Sequence, residues 1–547
     1  MIRKLLEKLP LLLWFVPGFL LWASFPPMGE SADVFFALAP AIWFSRRNSP
    51  KRSFLCWFSN GLFFWTATLS WMPAIVKNGG PWPLVVLGWG ALAAYCALYF
   101  GLFGWLAAIV WRWVRTRHYG WRLLAIFVAE PVLWAGLEIV RSRLFGGFAW
   151  NQLGVAPVNA GLGEPAMLGG VYLVSAIAVL VNGTFVSIAE RMFAGFMRDS
   201  EQVGAPPRWL RSVETIVPLV LVIGVYQIAG VCRDFFGSSC HVKMSAGLVQ
   251  RNFPSVFEMS QGVEEDTEER YSFLFSALAH AKPDVLILPE SAFCEVGAVD
   301  SPRASLFARQ AMSVTGAKAV LAGGSRRSGE KLYNSAALYS RHPESRPRCS
   351  DVYDKVHLVP FGEFIPFDKV FTVLQKLAPV GSCTPGELKT LELALDASTA
   401  KLGVAICYED TDSAQMRRLA EKGARVLVFM TNDNWFSSSV EPVQHAWQAV
   451  ARAIETGLPV ARVGNSGVTG TISPDGKASW LVDGDGLPIV DEAGAMCARI
   501  DMPSDWTPTV YVRLGDVPLF CAFLVLLTAI GMVEYKASYE QRRKVSM

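Results

Sequence analysis

Three reactive or charged side chains lie at the ends of short apolar runs that are typical of β-strands, or in the loops beside them. Glu290 closes the run VLILPE, Cys407 closes GVAIC, and Lys355 lies in the segment VYDKVHLVPFGEF. A cysteine at a turn from strand to helix faces the N-terminal amides of the helix, which lower the pKa of a thiol and can hold an oxyanion. A carboxylate can take the thiol proton, and a lysine can stabilise the charge that develops. Together the three residues predict nucleophilic catalysis by Cys407.

Each of these residues by itself also fits an ordinary structural role. A cysteine that ends an apolar strand is a small buried hydrophobe in most proteins. A glutamate after a proline is usually a solvated strand end, and a lysine in a loop that contains histidine is usually on the surface. The three contexts together, in this order along the chain, favour the catalytic interpretation.

The elements around these residues alternate between short β-branched runs and helical stretches, from Cys240 to Gly515. This alternation predicts an α/β domain, in which active residues lie just past the carboxyl ends of strands. The predicted strands are VKMSAGLVQ, DVLILPE, KAVLAGG, LGVAIC, RVLVFM and GVTGTIS, and the predicted helices lie near Glu265–Ala281, Arg303–Val314, Ser413–Lys422 and Gln444–Glu455.

The chain as a whole is too apolar and too long to be one ordinary soluble domain. Of its 547 residues, 52% are hydrophobic and 18% are charged, and the mean hydropathy is +0.32. Because a membrane span needs about 20 mostly apolar residues, we expect about eight spans, all but the last before the α/β domain. The predicted organisation is a membrane bundle over 1–234, a catalytic domain over 235–515, and a closing membrane helix with a cytoplasmic tail over 516–547. The predicted spans lie near 10–27, 33–46, 54–75, 84–111, 123–140, 166–189, 214–232 and 516–534.

Basic residues alternate between the predicted loops, and cytoplasmic loops carry the excess of lysine and arginine. This pattern predicts a protein of the cell inner membrane with both termini inside and the α/β domain in the periplasm. A signal peptide is the alternative for MIRKLLEK and the apolar run after it. No small-x-small cleavage site follows clearly, and removal of the first span would invert the charge pattern. The basic clusters are Arg3, Lys4 and Lys8; Arg46, Arg47, Lys51 and Arg52; Arg112, Arg115, Arg117 and Arg122; Arg191, Arg198, Arg208 and Arg211; and Lys536, Arg542, Arg543 and Lys544.

Other classes of site find little support in the sequence. The net charge is +3 and no basic run is interleaved with aromatics, so we expect no nucleic-acid partner. The ten cysteines include no C-x-x-C and no accompanying histidine cluster, so we expect no metal and no cofactor. Disulfides can form on the outward side, where a pair such as Cys349 with Cys383 is possible but is not chosen by the sequence. The outward cysteines are Cys240, Cys294, Cys349, Cys383, Cys407 and Cys497.

Three motifs resemble those of a known family. PES (Pro289–Ser291), YDKVHLVPFGEFIP (Tyr353–Pro366) and GVAICYED (Gly403–Asp410) are similar to the Glu, Lys and Cys motifs of the nitrilase superfamily. The middle motif and the membrane frame resemble its apolipoprotein N-acyltransferase branch. This resemblance implies an αββα sandwich inserted before the last membrane helix. It also implies transfer of an acyl chain from a phospholipid of the bilayer to the free amine of a diacylglyceryl-apolipoprotein, and we expect a monomer.

The resemblance also implies a role for each residue of the motifs. Glu290 is the general base, Cys407 is the nucleophile, and Lys355 is the cation on the tetrahedral oxyanion. Glu363 matches a second glutamate that orients Lys355 or the thiol. For Glu363 and for three further residues that match the family, an ordinary role in packing or in a turn is an equal alternative to a functional role. The further matches, at positions that shape the pocket, are Asn334, Tyr408 and Glu409.

Two rival functions use the same residues differently. A membrane-tethered amidase would have the same triad and water as its second nucleophile, but a soluble amide needs no membrane bundle. A non-catalytic binding or transport protein would not need an intact triad. The apolar stretch FIPFDKVFTVLQKL after Glu363 is either a lid or membrane-dipping arm, or an ordinary amphipathic helix on the sandwich.

Overall fold

The computed structural model describes residues 12–78, 80–192, 208–237, 241–253, 263–293, 298–342, 345–365, 382–396, 398–436 and 438–545. The chain forms two compact units. The first contains residues 1–70, 88–233 and 514–547, and the second contains residues 71–87 and 234–513. The short segment 71–87 therefore belongs to the second unit, although it lies inside the predicted N-terminal block.

Helices build the first unit. A buried ion pair joins them, because Arg46 lies 2.7 Å from Glu130 and the indole of Trp111 donates to the same carboxylate at 2.8 Å. A charge in such apolar surroundings is costly unless it is paired. The α-helices up to residue 236 are α1 Val16–Ala23, α2 Val34–Ala37, α3 Ala39–Ser45, α4 Pro50–Thr68, α5 Trp82–Val114, α6 Tyr119–Leu124, α7 Glu130–Arg141, α8 Val155–Pro157, α9 Ala166–Met192 and α10 Arg208–Phe236.

Five helices in the described part of the chain are long and apolar enough to cross a membrane. They lie at the predicted spans 84–111, 123–140, 166–189, 214–232 and 516–534. The five helices are Trp82–Val114, Tyr119–Arg141, Ala166–Met192, Ser212–Phe236 and Val517–Glu540.

The predicted count of about eight spans is not confirmed, because the helices at the first three predicted spans are short or polar. The helix α1 has 8 residues, which extend about 12 Å at 1.5 Å per residue. The apolar helix Ser31–Ser45 is also too short. The helix α4 has 19 residues, but its first turn contains Lys51 and Arg52 and its middle contains Asn60.

The second unit contains two six-stranded sheets. The strands are β1 His241–Gln250, β2 Val285–Ile287, β3 Ala319–Ser328, β4 Lys331–His342, β5 Ser345–Asp354, β6 Leu391–Ala394, β7 Thr399–Ile406, β8 Val426–Thr431, β9 Val460–Gly464, β10 Gly470–Ile472, β11 Ala478–Trp480 and β12 Gly494–Pro503. Their orders in the two sheets are β12-β1-β2-β3-β4-β5 and β11-β10-β9-β8-β7-β6. In the first sheet β1, β2 and β3 are parallel, and in the second β7, β8 and β9 are parallel.

The two sheets pack face to face. Leu248 and Ile287 of the first sheet and Val404 and Val428 of the second share one buried core. A second core lies between the first sheet and its helices, so the α/β sandwich predicted for this domain is confirmed. The remaining helices are α11 Val263–Ala277, α12 Pro302–Thr315, α13 Ser413–Glu421, α14 Glu441–Thr456, α15 Val510–Leu514 and α16 Val517–Val545.

Of the expectations about the outward cysteines and the apolar stretch after Glu363, only the possible disulfide is tested by the described residues. Cys349 and Cys383 are both free thiols, so the disulfide that the sequence left possible is not formed. Cys240 and Cys294 lie outside the described residues, as does most of the proposed lid or arm, over 366–377.

Candidate active site

The predicted nucleophile lies where β7 ends. Cys407 follows Ile406 and opens a short 3₁₀ turn, Cys407–Thr411. Its φ is 54°, in the left-handed region that costs a residue other than glycine about 1–3 kcal/mol. Such a conformation persists only where the surrounding contacts determine it, which is typical of a functional position. The predicted helix near Ser413–Lys422 is observed as Ser413–Glu421, and the 3₁₀ turn lies between it and the strand.

Lys355 follows the last residue of β5. Its backbone N–H donates to the Asn334 carbonyl at 2.8 Å, and its side chain is 1% exposed. The Nζ atom lies 2.9 Å from Oε1 of Glu363 and 3.8 Å from Oε1 of Glu290. A buried ammonium needs such partners, because desolvation of an unpaired charge is very costly.

Glu290 lies just past the end of β2, as the sequence predicted. Asn334 on β4 donates its amide to Oε1 of Glu290 at 2.6 Å and to Oε1 of Glu363 at 2.7 Å. A Cβ at Gly323 would lie 2.7 Å from the Glu290 Cα, so only glycine lets β3 approach this turn. Four predicted residues therefore meet, and we call Glu290, Asn334, Lys355 and Glu363 the carboxylate–lysine cluster.

Glu409 links two segments of the site. Its side chain is buried and accepts hydrogen bonds from the backbone of Val356 at 2.8 Å, His357 at 3.0 Å and Ile406 at 2.8 Å. It thus joins the loop after Lys355 to the strand that carries Cys407. Tyr408 lies edge-on to the His357 ring, with ring centroids 5.7 Å apart.

The charges of the cluster act on the Cys407 thiol. Desolvation and the Glu290 carboxylate raise the pKa of Cys407 well above 9.0, and Lys355 only partly offsets this. The expectation that helix amides lower the pKa of this thiol is therefore wrong. The nucleophile rests as a thiol and needs a base to remove its proton.

The two glutamates differ in basicity. Desolvation raises the pKa of Glu290 above its ordinary value. Burial acts on Glu363 in the same direction, but Lys355 outweighs it and holds the pKa of Glu363 below the ordinary value. Burial opposes the charge of Lys355 as well, yet Glu363 and Glu290 raise its pKa overall. Glu363 is therefore the permanent counterion of Lys355, and Glu290 is the better base.

A second buried group, which the sequence reasoning missed, lies in the same unit. His445 on α14 places Nε2 2.9 Å from Asp410 and Nδ1 2.9 Å from Asp433. Arg462 on β9 pairs with Asp410 and lies 3.3 Å from Asp433. Glu441 lies 3.7 Å from Nδ1. We call these five residues the histidine cluster. Asp433 lies in the segment TNDNWF and His445 lies in QHAWQAVARAIETG, and both segments resemble segments of the family. This resemblance is the sequence signal that could have found them.

Three residues of the histidine cluster, Asp433, Glu441 and His445, have donor atoms within 4.8 Å of one another, close enough for a metal ion. Arg462 already lies against the Asp433 carboxylate, so an added cation would meet a fixed positive charge. Both imidazole nitrogens also have carboxylate partners. The arrangement is that of a closed ion-pair network.

Comparison with known proteins relates both halves of the chain to one family. Residues 17–184 match the apolipoprotein N-acyltransferase N-terminal domain, and residues 244–491 match the carbon-nitrogen hydrolase family. The apolipoprotein N-acyltransferase of Geobacter metallireducens is 31% identical over 508 residues, which cover 91% of this chain and 90% of the relative. That of Shewanella oneidensis is 27% identical over 542 residues, 96% of each chain. Among solved structures, an amidase from Nesterenkonia sp. AN1 has 18% identity and a TM-score of 0.34, over 50% of this chain and 98% of its own.

Proposed function

The chain belongs to the apolipoprotein N-acyltransferase family, and from this premise we propose that it acylates the N-terminal amine of diacylglyceryl-apolipoproteins. The donor is a membrane phospholipid, and Cys407 carries the acyl chain as a thioester between two half-reactions. The proposal rests on one observation. Buried Lys355 lies between two carboxylates of unequal basicity, Glu290 and Glu363. These three charges act on the Cys407 thiol, whose backbone is strained.

In the first half-reaction, the Glu290 carboxylate takes the thiol proton while the Cys407 sulfur attacks the ester carbonyl carbon of the phospholipid. The carbonyl electron pair moves to oxygen, and the Lys355 ammonium stabilises this oxyanion. The oxyanion then collapses, the carbon–oxygen ester bond breaks, and the leaving alkoxide takes the proton from Glu290. The products are a lysophospholipid and an acyl thioester on Cys407.

In the second half-reaction, the amine of the diacylglyceryl-cysteine attacks the thioester carbonyl. Glu290 accepts a proton from the nitrogen, Lys355 again stabilises the oxyanion, and the carbon–sulfur bond breaks. The departing thiolate regains its proton, which leaves the N-acylated product and the resting enzyme. A single base thus works in both half-reactions. The lysophospholipid leaves before the amine reacts with the acyl-enzyme, which predicts ping-pong kinetics.

The remaining residues hold these three in place. Glu363 keeps Lys355 charged, and Asn334 fixes both carboxylates through one amide group. Glu409 ties the lysine loop to the nucleophile strand, and Tyr408 borders the site beside His357. These roles account for every side chain that the resemblance singled out.

Both proposed substrates are anchored in lipid, and the five apolar helices fit that requirement. In this proposal residues 235–515 form the catalytic domain on the periplasmic side of the inner membrane. The blocks 1–234 and 516–547 keep it at the bilayer, and the enzyme works as a monomer. An amidase acting on soluble amides would gain nothing from such helices.

The test separates the two half-reactions in detergent-purified full-length enzyme. Phospholipid with a labelled acyl chain is supplied first without acceptor. We expect an acyl adduct in the intact mass of wild type, removed by neutral hydroxylamine and missing from Cys407→Ala. Added diacylglyceryl-peptide should then take the label as an amide.

Two results would overturn the proposal. Label that reaches the peptide without passing through the Cys407 adduct excludes the thioester. Rapid release of free fatty acid, with an acceptor that is never acylated, replaces the transferase with a hydrolase.

A further inference from the structure

The charge state of His445 follows from its hydrogen-bond partners. Nε2 lies 2.9 Å from Oδ1 of Asp410, and Nδ1 lies 2.9 Å from Oδ1 of Asp433. A neutral imidazole has one N–H, so one nitrogen would direct a lone pair at a carboxylate oxygen. Two N–H groups satisfy both carboxylates, and an imidazole with two N–H groups is a cation.

Arg462 pairs with both aspartates. Its guanidinium pairs with Oδ2 of Asp410 and lies 3.3 Å from Oδ2 of Asp433, so each carboxylate has one oxygen toward the imidazole and one toward the guanidinium. Two cations balance two anions within a fully buried group. The pKa of Glu441 is raised well above its ordinary value by burial and by Asp433, so this fifth member stays neutral and the balance holds.

Two members of the histidine cluster connect it to the nucleophile. Asp410 lies in the same five-residue 3₁₀ turn as Cys407, whose φ is 54°. Asp433 opens the turn after β8, and its charge raises the pKa of the Cys407 thiol. The other charged groups that act on this thiol are Glu290, Lys355 and Glu363. The histidine cluster therefore contacts the nucleophile turn and contributes to the field at its sulfur.

We propose that His445 is a positioning residue for Cys407. As a buried imidazolium between Asp410 and Asp433, it holds the nucleophile turn in place and offsets the negative charge of these two carboxylates. This inference rests on the proposed function only in taking Cys407 as the reactive thiol. Without the imidazolium, two carboxylates face one guanidinium, and the added negative charge disfavours the thiolate.

The proposal predicts how variants change the reactivity of Cys407. His445→Gln removes the cation, and we expect alkylation of Cys407 by iodoacetamide to slow by about tenfold at pH 8, which corresponds to about one unit in the thiol pKa. Asp410→Asn in the same chain removes one carboxylate and restores the charge balance. The double variant should therefore recover most of the lost rate. A purely structural role for His445 predicts no recovery, because two contacts would then be altered instead of one.

The experiment measures the rate of iodoacetamide labelling of the Cys407 peptide by mass spectrometry, between pH 6.5 and 9.5, in the full-length enzyme in detergent. The control is His280→Gln, which changes an exposed histidine of the same unit. Alkylation needs no lipid substrate, so failure of the proposed acyl transfer leaves this result unaffected. A wild-type rate in folded His445→Gln, or a double variant as slow as the single one, would overturn the proposal.

A measurement on wild type covers the case in which the variants do not fold. The chain has 6 histidines, and in enzyme with ¹⁵N-labelled imidazoles we expect one ring to stay doubly protonated at pH 8.5, where exposed rings are neutral. Six neutral rings at that pH would contradict the assignment. A stoichiometric divalent metal in the purified enzyme would contradict it as well, since a metal ion would then take the place of the proton.

Discussion

The carboxylate–lysine cluster and the histidine cluster are both buried groups of ion pairs, and they differ in charge balance. In the first, Lys355 is shared by Glu290 and Glu363, at 3.8 Å and 2.9 Å. In the second, His445 and Arg462 match Asp410 and Asp433 one for one. The first cluster has one carboxylate too many, and that carboxylate is the one that can accept a proton.

Because of this difference in charge balance, the histidine cluster keeps its proton, whereas the carboxylate–lysine cluster can transfer one. In the histidine cluster, His445 and Arg462 each lie against both Asp410 and Asp433, so the network fixes a geometry and holds its proton. Glu290 is instead raised in pKa by desolvation and is only loosely paired with Lys355. Substitution in the first cluster should therefore affect proton transfer and oxyanion stabilisation directly, and substitution in the second should act through the position and the charge environment of Cys407.

The largest effect is expected for Glu290→Gln. The amide retains the shape and can still contact Asn334, but it cannot take the thiol proton, so both half-reactions should slow by about 10²–10⁴-fold. Single-turnover acylation and deacylation, measured separately, test this. Slowing of only one half-reaction would mean that a different base serves the other.

Lys355→Met should follow closely. Loss of the oxyanion donor should reduce the acylation rate by about 10²–10³-fold, and two unpaired buried carboxylates should lower the free energy of unfolding by about 3–5 kcal/mol. The control is Lys389→Met, since Lys389 lies 2.5 Å from Asp351 with 46% of its side chain exposed. If both variants had equal rates and thermal stability, Lys355 would have no special role.

Glu363→Gln should have a smaller effect and a distinctive pH dependence. The Glu363 charge contributes to the raised pKa of Glu290, so its removal should lower that pKa. Because Glu290 acts as a carboxylate, activity falls as the pH falls through its pKa, and the acid limb of the rate profile should move to lower pH. At neutral pH we expect a loss of about tenfold or less. Glu387→Gln, at an exposed position, should leave the limb unchanged.

The smallest effect concerns the pH dependence of stability. Burial opposes protonation of His445, but Asp410 and Asp433 outweigh it and raise its pKa from 6.5 to about 10. A raised histidine pKa stabilises the fold fully below 6.5, and this contribution is lost as the pH rises through about 10. The difference in Tm between wild type and His445→Gln should therefore shrink from pH 6.5 to pH 10. A constant difference would indicate lost packing alone.

The sequence by itself determined the features that depend on local pattern. The apolar runs predicted about eight spans, five of which coincide with long apolar helices, and the alternation of strands and helices predicted an α/β domain. The predicted helix near Gln444–Glu455 is observed as Glu441–Thr456, ended by Gly457 at a φ of 66°. Glu290, Lys355 and Cys407 were found because their three local contexts occur together, at strand ends or in the loops beside them.

Only the tertiary structure decided what depends on distant partners. His445 is 35 residues from Asp410, and Asn334 is 44 residues from Glu290, so no local pattern shows these contacts. The same holds for the thiol pKa of Cys407, which the sequence predicted from neighbouring amides and which the structure raises through desolvation and Glu290. Charge and burial are sums over everything that packs around a residue, and the chain order records only its neighbours along the chain.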